Sequence, residues 1–392
     1  KAIRRQRQMC IRDSPCMSKY TEFFYGEIYM KVLAVYGTRP EAIKMCPLIL
    51  EMKNRPEVKC VVCLTGQHRE MLDQVNGLFG ITADYDLNIM QKGQSLADIT
   101  SKVLQGLDKV IDKEKPDVML VHGDTTTSFA AALAAFYRNI PVGHVEAGLR
   151  TYNMKSPYPE EFNRQAVDLI CNYYFAPTET AKEHLLKEGK NHSHIYVTGN
   201  TVIDALKTTV DESFSDDNIE WAKGSRLILL TSHRRENIGE NMKHIFEAVN
   251  AIVDEYPDVK VIYPLHKNPR VREIAYEYFR DNDRIRLIEP LDVYHFHNYI
   301  QQCFLIMTDS GGVQEEAPSL GKPVLVLREN TERPEGVAAG TLKLVGVEKE
   351  SIYRGVKELL DNRETYIKMS KASNPYGCLL YTSPSPRDMR RS

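Results

Sequence analysis

The sequence predicts an α/β protein of two domains, each built on a parallel sheet, with the domains facing across a cleft. Three observations support this prediction. Short apolar strands alternate with helical segments from residue 30 onward, and after a polar, acidic segment at 211–218 the alternation starts again at 226. In both halves, polar motifs follow directly after the strands, where ligands bind in such sheets. This pattern is typical of two Rossmann-like domains.

The first half begins with an apolar strand directly after Met30. A long helix is predicted over 95–115, because Ile99, Val103, Leu107 and Ile111 recur at spacings of three and four. Shorter helices are expected over 125–138 and from Thr178. Strands are predicted at 31–36, 58–64, 117–121, 142–146, 173–176 and 195–197.

The second half repeats the alternation, with strands predicted at 226–231, 259–263, 303–308 and 323–327. We therefore expect an N-terminal domain over 30–198 and a C-terminal, nucleotide-binding domain over 199–377. The two ends of the chain do not resemble the rest. Residues 1–29 carry a basic run without an apolar segment after it, and 378–392 contain a Ser-Pro repeat and paired arginines. We expect both to be non-native extensions, with natural disordered tails as the alternative.

Composition limits the function classes. The chain has 392 residues, 42% of them hydrophobic and 27% charged, and a formal net charge of −2, which gives no basic field for nucleic acid. It contains no apolar run of the ~20 residues that a membrane span needs. Cys60 and Cys63 lie inside an apolar strand pattern, where positions three apart face opposite sides, so they are interpreted as core thiols. A reducing, cytoplasmic location is expected.

Two strand-to-helix turns have the composition of anion sites. Gly37–Lys44 joins a strand to a helix through a glycine, with Pro40 in the first turn and two cations nearby. Ser310, Gly311 and Gly312 open another helix after a strand, and Glu316 lies one turn further, where it can accept hydrogen bonds from ribose hydroxyls. Each motif alone also fits a plain helix start. Together with cations at other strand ends, they favour a nucleotide diphosphate.

Three carboxylates, Asp124, Glu146 and Glu160, stand in loops that follow strands of the first domain. Grouped in one cleft, they would repel each other and suit proton transfer. The alternatives are separate surface acids or a magnesium site. A metal is disfavoured because these loops contain no Asp-x-Asp pair. Of the histidines, His233 is kept as a candidate beside the phosphate site, whereas His122 and His144 end buried strands and are expected to orient loops.

Nine motifs in order resemble the bacterial non-hydrolysing UDP-N-acetylglucosamine 2-epimerases over residues 30–377. They are GTRPEAIK at 37–44, TGQHREML at 65–72, HGDT at 122–125, HVEAGLR at 144–150, PEExNR at 159–164, GNT at 199–201, HRREN at 233–237, DSGGxQEE at 309–316 and ERPE at 332–335. The resemblance implies the glycosyltransferase-B fold and interconversion of UDP-N-acetylglucosamine with UDP-N-acetylmannosamine. It implies elimination of UDP to 2-acetamidoglucal and re-addition, with no cofactor and no metal.

The resemblance also implies residue roles. Asp124, Glu146 and Glu160 match the acid/base set, and His233 matches a histidine that assists at the diphosphate. Gln67, His68 and Glu70 match a site where a second substrate molecule acts as an activator. A homodimer is implied as well. The implied substrate-binding residues are Arg39, Lys44, Arg164, His266, Ser310, Gly311, Gly312, Glu316 and Arg333.

Other functions remain open at this point. A hydrolysing relative would release N-acetylmannosamine and UDP, and a glycosyltransferase would need fewer acids around the sugar. In the resembling family a last helix follows Gly377 and returns to the first domain, whereas this sequence continues into the 378–392 tail. We therefore expect weakened folding or activity, and an inactive truncated UDP-sugar binder is the non-enzymatic alternative.

Overall fold

The computed structural model describes residues 30–66, 69–91, 93–155, 157–331 and 333–377, with the backbone alone for 69–71. The extensions expected at 1–29 and 378–392 lie outside these residues. The described chain divides into two compact units. Unit 1 contains 30–205 and 376–377, and unit 2 contains 206–375.

Unit 1 contains a seven-stranded sheet in the order β3-β2-β1-β4-β5-β6-β7, and its registered strand pairs are parallel. The order reverses between β1 and β4, which makes their carboxyl ends the topological switch point of this sheet. The strands are β1 (Met30–Tyr36), β2 (Val58–Leu64), β3 (Tyr85–Asp86), β4 (Val118–His122), β5 (Val142–Val145), β6 (Tyr173–Ala176) and β7 (Ile195–Val197). The helices are α1 (Arg39–Lys53), α2 (Arg69–Leu78), α3 (Leu96–Glu114), α4 (Thr126–Tyr137), α5 (Glu160–Ile170), α6 (Glu179–Lys187) and the 3₁₀ turn His192–His194.

Unit 2 contains a six-stranded parallel sheet in the order β10-β9-β8-β11-β12-β13, with its switch point between β8 and β11. The boundary between the units falls within α7 (Val202–Thr209). The strands are β8 (Arg226–Thr231), β9 (Val259–Pro264), β10 (Ile285–Ile288), β11 (Leu305–Thr308), β12 (Val324–Val326) and β13 (Leu342–Leu344). The helices are α8 (Asp217–Ala222), the 3₁₀ turn Arg235–Asn237, α9 (Glu240–Glu255), α10 (Pro269–Phe279), α11 (Val293–Gln302), α12 (Val313–Ser319), α13 (Pro334–Ala338), α14 (Lys349–Asp361) and α15 (Arg363–Ser370).

Local sequence explains the elements that the pattern predicted. In α3 the apolar residues Ile99, Val103 and Leu107 are buried against the sheet core, as their spacing requires. Ser95 caps the start of this helix by accepting from Asp98 N (3.2 Å), and Lys115 ends it in the left-handed conformation. The predicted helix is therefore confirmed.

Strand ends differ from the prediction by one or two residues. β4 ends at His122 rather than at residue 121, and β11 begins at Leu305 rather than at 303. β5 ends at Val145 because Glu146 adopts φ +68°, which takes the backbone out of the extended region. This turn positions the Glu146 carboxylate at the end of the sheet.

The cysteines of β2 and the lengths of the helices bear on the expectations from composition. Cys63 is buried in the core and Cys60 is half-buried, both as free thiols of β2, and burial raises the pKa of each to about 12, which disfavours the reactive thiolate. In the part of the chain that the structure describes, every helix is too short or too polar to cross a membrane.

Gly148 is a positive-φ glycine of unit 1 that lies very close to a neighbouring backbone segment. Its φ is +84°, and a Cβ added there would lie 2.3 Å from the carbonyl oxygen of Ala181. Gly189 has a similar φ of +77°, but a Cβ there would meet no atom within 4 Å. Substitution of Gly189 therefore introduces backbone strain alone, whereas substitution of Gly148 introduces backbone strain and steric overlap.

We predict that Gly189→Ala lowers the free energy of unfolding by about 1–2 kcal/mol, the cost of the left-handed backbone for an L-residue. Gly148→Ala should cost a further ~1–3 kcal/mol, because the chain must move to relieve the overlap. Urea denaturation followed by circular dichroism measures both. Equal losses for the two variants would contradict the close approach.

Candidate functional site

The switch point of unit 1 is organised by Glu41, whose side chain is 1% exposed. Its Oε2 accepts from the backbone N–H groups of Gly37 (2.9 Å) and Thr38 (2.7 Å), after β1. Its Oε1 accepts from the hydroxyls of Thr125 (2.6 Å) and Ser128 (2.9 Å), after β4. Burial raises the pKa of Glu41, and the four donors oppose that rise. One carboxylate thus ties together the loops after β1 and β4.

This arrangement corrects the expectation of an open anion site at the start of α1. The N–H groups of Gly37 and Thr38 already donate to Glu41, so the protein's own carboxylate occupies them. Of the two cations expected there, Arg39 is half-exposed at the first position of α1. Lys44 instead points to Glu146, with which its ammonium forms an ion pair.

Glu146 contacts three separate segments of unit 1. Its Oε1 accepts from Lys44 Nζ and from Asn200 Nδ2 (3.0 Å). Its Oε2 lies 3.6 Å from Nε2 of His122. The side chain is 11% exposed, so the carboxylate is held on several sides while part of it stays accessible.

Asp124 is paired with a cation too. Arg164 on α5 forms an ion pair with its carboxylate, and Asn163 Nδ2 donates to its backbone carbonyl (2.9 Å). The expected repulsion between the carboxylates is therefore offset, because Asp124 and Glu146 each have their own cation.

The two acids at the start of α5, Glu160 and Glu161, have different surroundings. Glu161 is fully buried and accepts from the N–H groups of Thr151 (3.0 Å) and Tyr152 (2.9 Å). Burial acts to raise the pKa of Glu161, but these hydrogen bonds and the Arg164 charge outweigh it and hold that pKa below its usual value. Glu160 is half-buried, and within the described ranges its side chain makes no hydrogen bond or ion pair, so neither kind of bond joins its carboxylate to Asp124 or Glu146.

His144 orients a loop, as expected from the sequence. It is fully buried, with Nδ1 2.6 Å from Asp168 Oδ1 and Nε2 2.8 Å from the carbonyl oxygen of Gly123. Asp168 also accepts from Gly148 N (3.1 Å) and pairs with Arg150 (2.7 Å). Burial acts to raise the pKa of Asp168, but the charges of His144 and Arg150 hold it below its usual range. This cluster fixes Gly123, the residue before Asp124.

His122 has a different environment. It is 4% exposed, and among the described residues neither ring nitrogen has a hydrogen-bond partner. Burial lowers its pKa to about 3, although the nearby Glu146 charge acts in the opposite direction. His122 is therefore a neutral imidazole beside Glu146 at neutral pH.

The switch point of unit 2 is organised by Asp309, which is fully buried. Its Oδ2 accepts from the N–H groups of His233 (2.8 Å) and Arg234 (3.0 Å), from Asn237 Nδ2 (3.0 Å) and from Ser232 Oγ (3.2 Å). The loops after β8 and β11 are thus joined by one carboxylate, as in unit 1.

The candidate residues of unit 2 fall into two groups. His233 stacks on His266, with ring centroids 5.2 Å apart and planes 9° apart. Burial, and then the neighbouring His233, lower the pKa of His266. Ser310, Gly311 and Gly312 lead into α12, which has no side-chain cap at Gly312, in contrast to α1 with its Glu41.

The remaining candidates are linked through α12. Arg333 forms an ion pair with Glu315, and Glu316 lies 3.6 Å from Nε2 of the buried His297. Gln67 and His68 of the expected activator site lie outside the described residues, as does the Glu70 side chain. In the chain that the structure describes, no three His, Cys, Asp or Glu side chains are grouped as a metal site.

Sequence reasoning missed the buried carboxylates Glu41, Asp309, Asp168 and Glu161. For Glu41 a signal was present. Thr38-x-x-Glu41 has the spacing of a capping box, and both of its hydrogen-bond arms are present in the structure.

The low pKa of His122 predicts how the free energy of unfolding changes with pH. Because its folded pKa lies below its unfolded value of ~6.5, the unfolded chain takes up a proton first as the pH falls, and stability is lost below about pH 6.5. Between pH 7 and pH 5 the parent should lose ~2 kcal/mol more free energy of unfolding than His122→Asn. Urea titrations at each pH measure this, with His192→Asn as a control at an exposed histidine. Parallel pH curves for the parent and His122→Asn would contradict the buried neutral state.

Comparison with known proteins identifies the family of this site. The family model described as UDP-N-acetylglucosamine 2-epimerase matches residues 50–378. A UDP-N-acetylglucosamine 2-epimerase of Bacillus subtilis (strain 168) is 59% identical over 348 residues, covering 89% of this chain and 92% of the relative. The enzyme of that name from Escherichia coli (strain K12) is 50% identical over 357 residues, covering 89% and 95%.

The chain is also similar to a solved structure of a UDP-N-acetylglucosamine 2-epimerase. The crystal structure of UDP-GlcNAc 2-epimerase from Neisseria meningitidis bound to UDP-GlcNAc has a TM-score of 0.82 and 48% identity, covering 93% of this chain and 100% of that one. The fold class predicted from the sequence, parallel α/β of the glycosyltransferase-B type, is confirmed by this likeness and by the two strand orders. The chain belongs to the UDP-N-acetylglucosamine 2-epimerase family.

Proposed function

We propose that the protein interconverts UDP-N-acetylglucosamine and UDP-N-acetylmannosamine without releasing free sugar. The proposal is supported by two observations together: the ligand of a related enzyme, and the position of the carboxylates in this chain. The Neisseria relative was solved bound to UDP-GlcNAc. In this chain Asp124 follows β4 at the switch point of unit 1, and Glu146 follows the neighbouring strand β5 and pairs with Lys44 of α1. Ligands of doubly wound sheets bind at that position.

The proposed reaction begins with elimination. A carboxylate removes the proton from carbon 2 as the bond between carbon 1 and the diphosphate oxygen breaks, and the electron pair of that bond leaves with UDP. The intermediate is 2-acetamidoglucal. Re-addition of UDP at carbon 1, with proton delivery to the opposite face of carbon 2, gives the epimer. The two faces require two acid/base groups, and the chain offers Asp124, Glu146 and Glu160.

The contacts of unit 1 support this assignment for two of the three. Lys44 orients Glu146, and Arg164 orients Asp124, so each carboxylate is held in place by a charged side chain. Glu160 is included through the motif it shares with the family, and its half-buried position at the start of α5 leaves it accessible.

UDP binding is assigned to unit 2. The uncapped start of α12 at Gly312 offers N–H groups that suit a diphosphate, whereas the start of α1 is occupied by Glu41. His233 is proposed to donate to the departing diphosphate and so stabilise its charge. The substrate-binding set includes Arg39, Lys44, Arg164, His266, Ser310, Gly311, Gly312, Glu316 and Arg333.

The proposed product and the family motifs suggest how the enzyme is used and regulated. We infer that the activated N-acetylmannosamine supplies cell-surface polysaccharide, and that a second UDP-N-acetylglucosamine molecule activates the enzyme at Gln67, His68 and Glu70. A reducing cytoplasm suits buried thiols such as Cys63.

A homodimer is part of the proposal. Helices α4 and α5 carry exposed apolar side chains, with Phe136 53%, Tyr137 66% and Leu169 75% exposed. Phe129 and Phe162 make an edge contact at 5.6 Å, and Phe136 and Leu169 each follow seven residues, or about two turns, further along their helices. We infer that a second copy of the chain covers this apolar surface.

The reaction is tested by proton NMR of UDP-N-acetylglucosamine incubated with the protein in D₂O. We expect UDP-N-acetylmannosamine with deuterium at carbon 2. Asp124→Asn and Glu146→Gln should each reduce the rate by on the order of 10²–10⁴, the usual contribution of a general acid or base. Asp108→Asn, at an exposed carboxylate on α3, is the control and should keep full activity. Free N-acetylmannosamine with UDP would indicate the hydrolysing reaction, and binding without turnover would refute the epimerase.

The dimer is tested by light scattering coupled to size-exclusion chromatography. The parent should run at twice its chain mass, and Tyr137→Glu should run as a monomer, because a charge cannot be buried in an apolar contact without a partner. Tyr276→Glu, at a tyrosine that is 48% exposed on α10, is the matched control and should stay dimeric. A monomeric parent would rule out the dimer.

A further inference from the structure

The two oxygens of Asp309 have very different surroundings. Oδ2 accepts from four donors, two of which are the backbone N–H groups of His233 and Arg234. Oδ1 is buried and has no hydrogen-bond partner among the described residues. The imidazole Nδ1 of His233 lies 3.5 Å from Oδ1. A buried carboxylate oxygen without a donor is unfavourable, and a small rotation of the His233 ring supplies one.

His233 is held by this carboxylate through both its backbone and its ring. The backbone N–H donates to Oδ2 at 2.8 Å, while the ring faces Oδ1. A nitrogen that faces an ionised carboxylate carries a proton, because a lone pair there would be repelled. The proton of a neutral His233 is therefore on Nδ1, which leaves Nε2 to receive a second proton. The His233 side chain is 39% exposed, so the ring is open to a ligand.

His266, which stacks on His233, has the opposite tautomer. The backbone N–H of Asn268 donates to its Nδ1 at 3.1 Å, so this nitrogen carries the lone pair. Its proton is therefore on Nε2. Burial and the neighbouring His233 lower the pKa of His266, which agrees with a neutral ring.

We propose that Asp309 is a positioning residue that sets the tautomer of His233, keeping a proton on Nδ1 so that Nε2 serves the departing diphosphate. The role at the diphosphate rests on the proposed function. The tautomer itself rests on the contacts of unit 2 alone. Asp309 would act as the acidic member of a histidine–carboxylate pair, in which the carboxylate orients the ring and stabilises its cation.

The substitution Asp309→Asn tests this directly. The amide oxygen can take the place of Oδ2 and keep accepting from the four donors, and the amide N–H group then faces His233 Nδ1. That nitrogen must now accept, so the proton of His233 moves to Nε2. Ser232→Ala is the control, because it removes one donor to Oδ2 (3.2 Å) and leaves Oδ1 and His233 in place.

The measurement is ¹⁵N NMR of the full chain labelled at histidine, with His233→Asn and His266→Asn used to assign the two rings. In the parent and in Ser232→Ala we expect the Nδ1 of His233 to be protonated and the Nδ1 of His266 to carry the lone pair. In Asp309→Asn we expect the His233 tautomer to invert and that of His266 to stay. An unprotonated His233 Nδ1 in the parent would overturn the proposal, and this result needs no variant to fold.

Measurements of kcat and KM distinguish a failure of the tautomer proposal from a failure of the proposed function. With UDP-N-acetylglucosamine we expect Asp309→Asn to lower kcat on the order of 100-fold with little change in KM, and Ser232→Ala to stay within a few-fold of the parent. Inversion of the tautomer without loss of kcat would overturn the role at the diphosphate. A parent without epimerase activity would refute the proposed function, and the NMR result for Asp309 would still stand.

Discussion

In each unit, one buried carboxylate ties together the two loops that follow the central strands. Glu41 does so in unit 1, where it accepts four hydrogen bonds from the loops after β1 and β4. Asp309, which follows β11, does so in unit 2 by accepting four hydrogen bonds from the loop after β8. A parallel sheet fixes its strands by ladder hydrogen bonds, but it leaves the loops at its carboxyl end without such support. The internal carboxylate supplies that support, so the candidate residues carried by these loops depend on it.

The two units use the same topology for different purposes. In unit 1 the protein's own carboxylate occupies the helix start, and the external groups are the cation-paired acids Asp124 and Glu146. In unit 2 the helix start at Gly312 has no side-chain cap. The stacked histidines His233 and His266 follow β8 and β9 of the same sheet. This difference supports the proposal that unit 1 carries the proton transfer and unit 2 binds the diphosphate.

The sequence predicted what depends on local pattern. The helix from Leu96 to Glu114 followed from apolar spacing, and the strand-end loops of Asp124, Glu146 and Ser310 followed from short apolar runs. It could not give the partners of Asp309, which lie 72 to 77 residues away on another loop. The short edge strand β3 carries only two residues and has no pattern of its own. The division of Glu160 and Glu161 into accessible and buried acids depended on the turn at Thr151 and Tyr152, which hydrophobic periodicity does not describe.

The partners of Glu146 also bear on when the site forms during folding. Lys44 lies 102 residues before it and Asn200 lies 54 residues after it, so the carboxylate is complete only when both ends of unit 1 have come together. Contacts between such distant residues form late, because the loop between them must close first. During synthesis, an N-terminal fragment that ends before residue 200 would have the strands of the sheet but an incompletely held Glu146. Glu146, the acid/base group of the proposed function, is thus fully held only after residue 200 has joined the fold of unit 1.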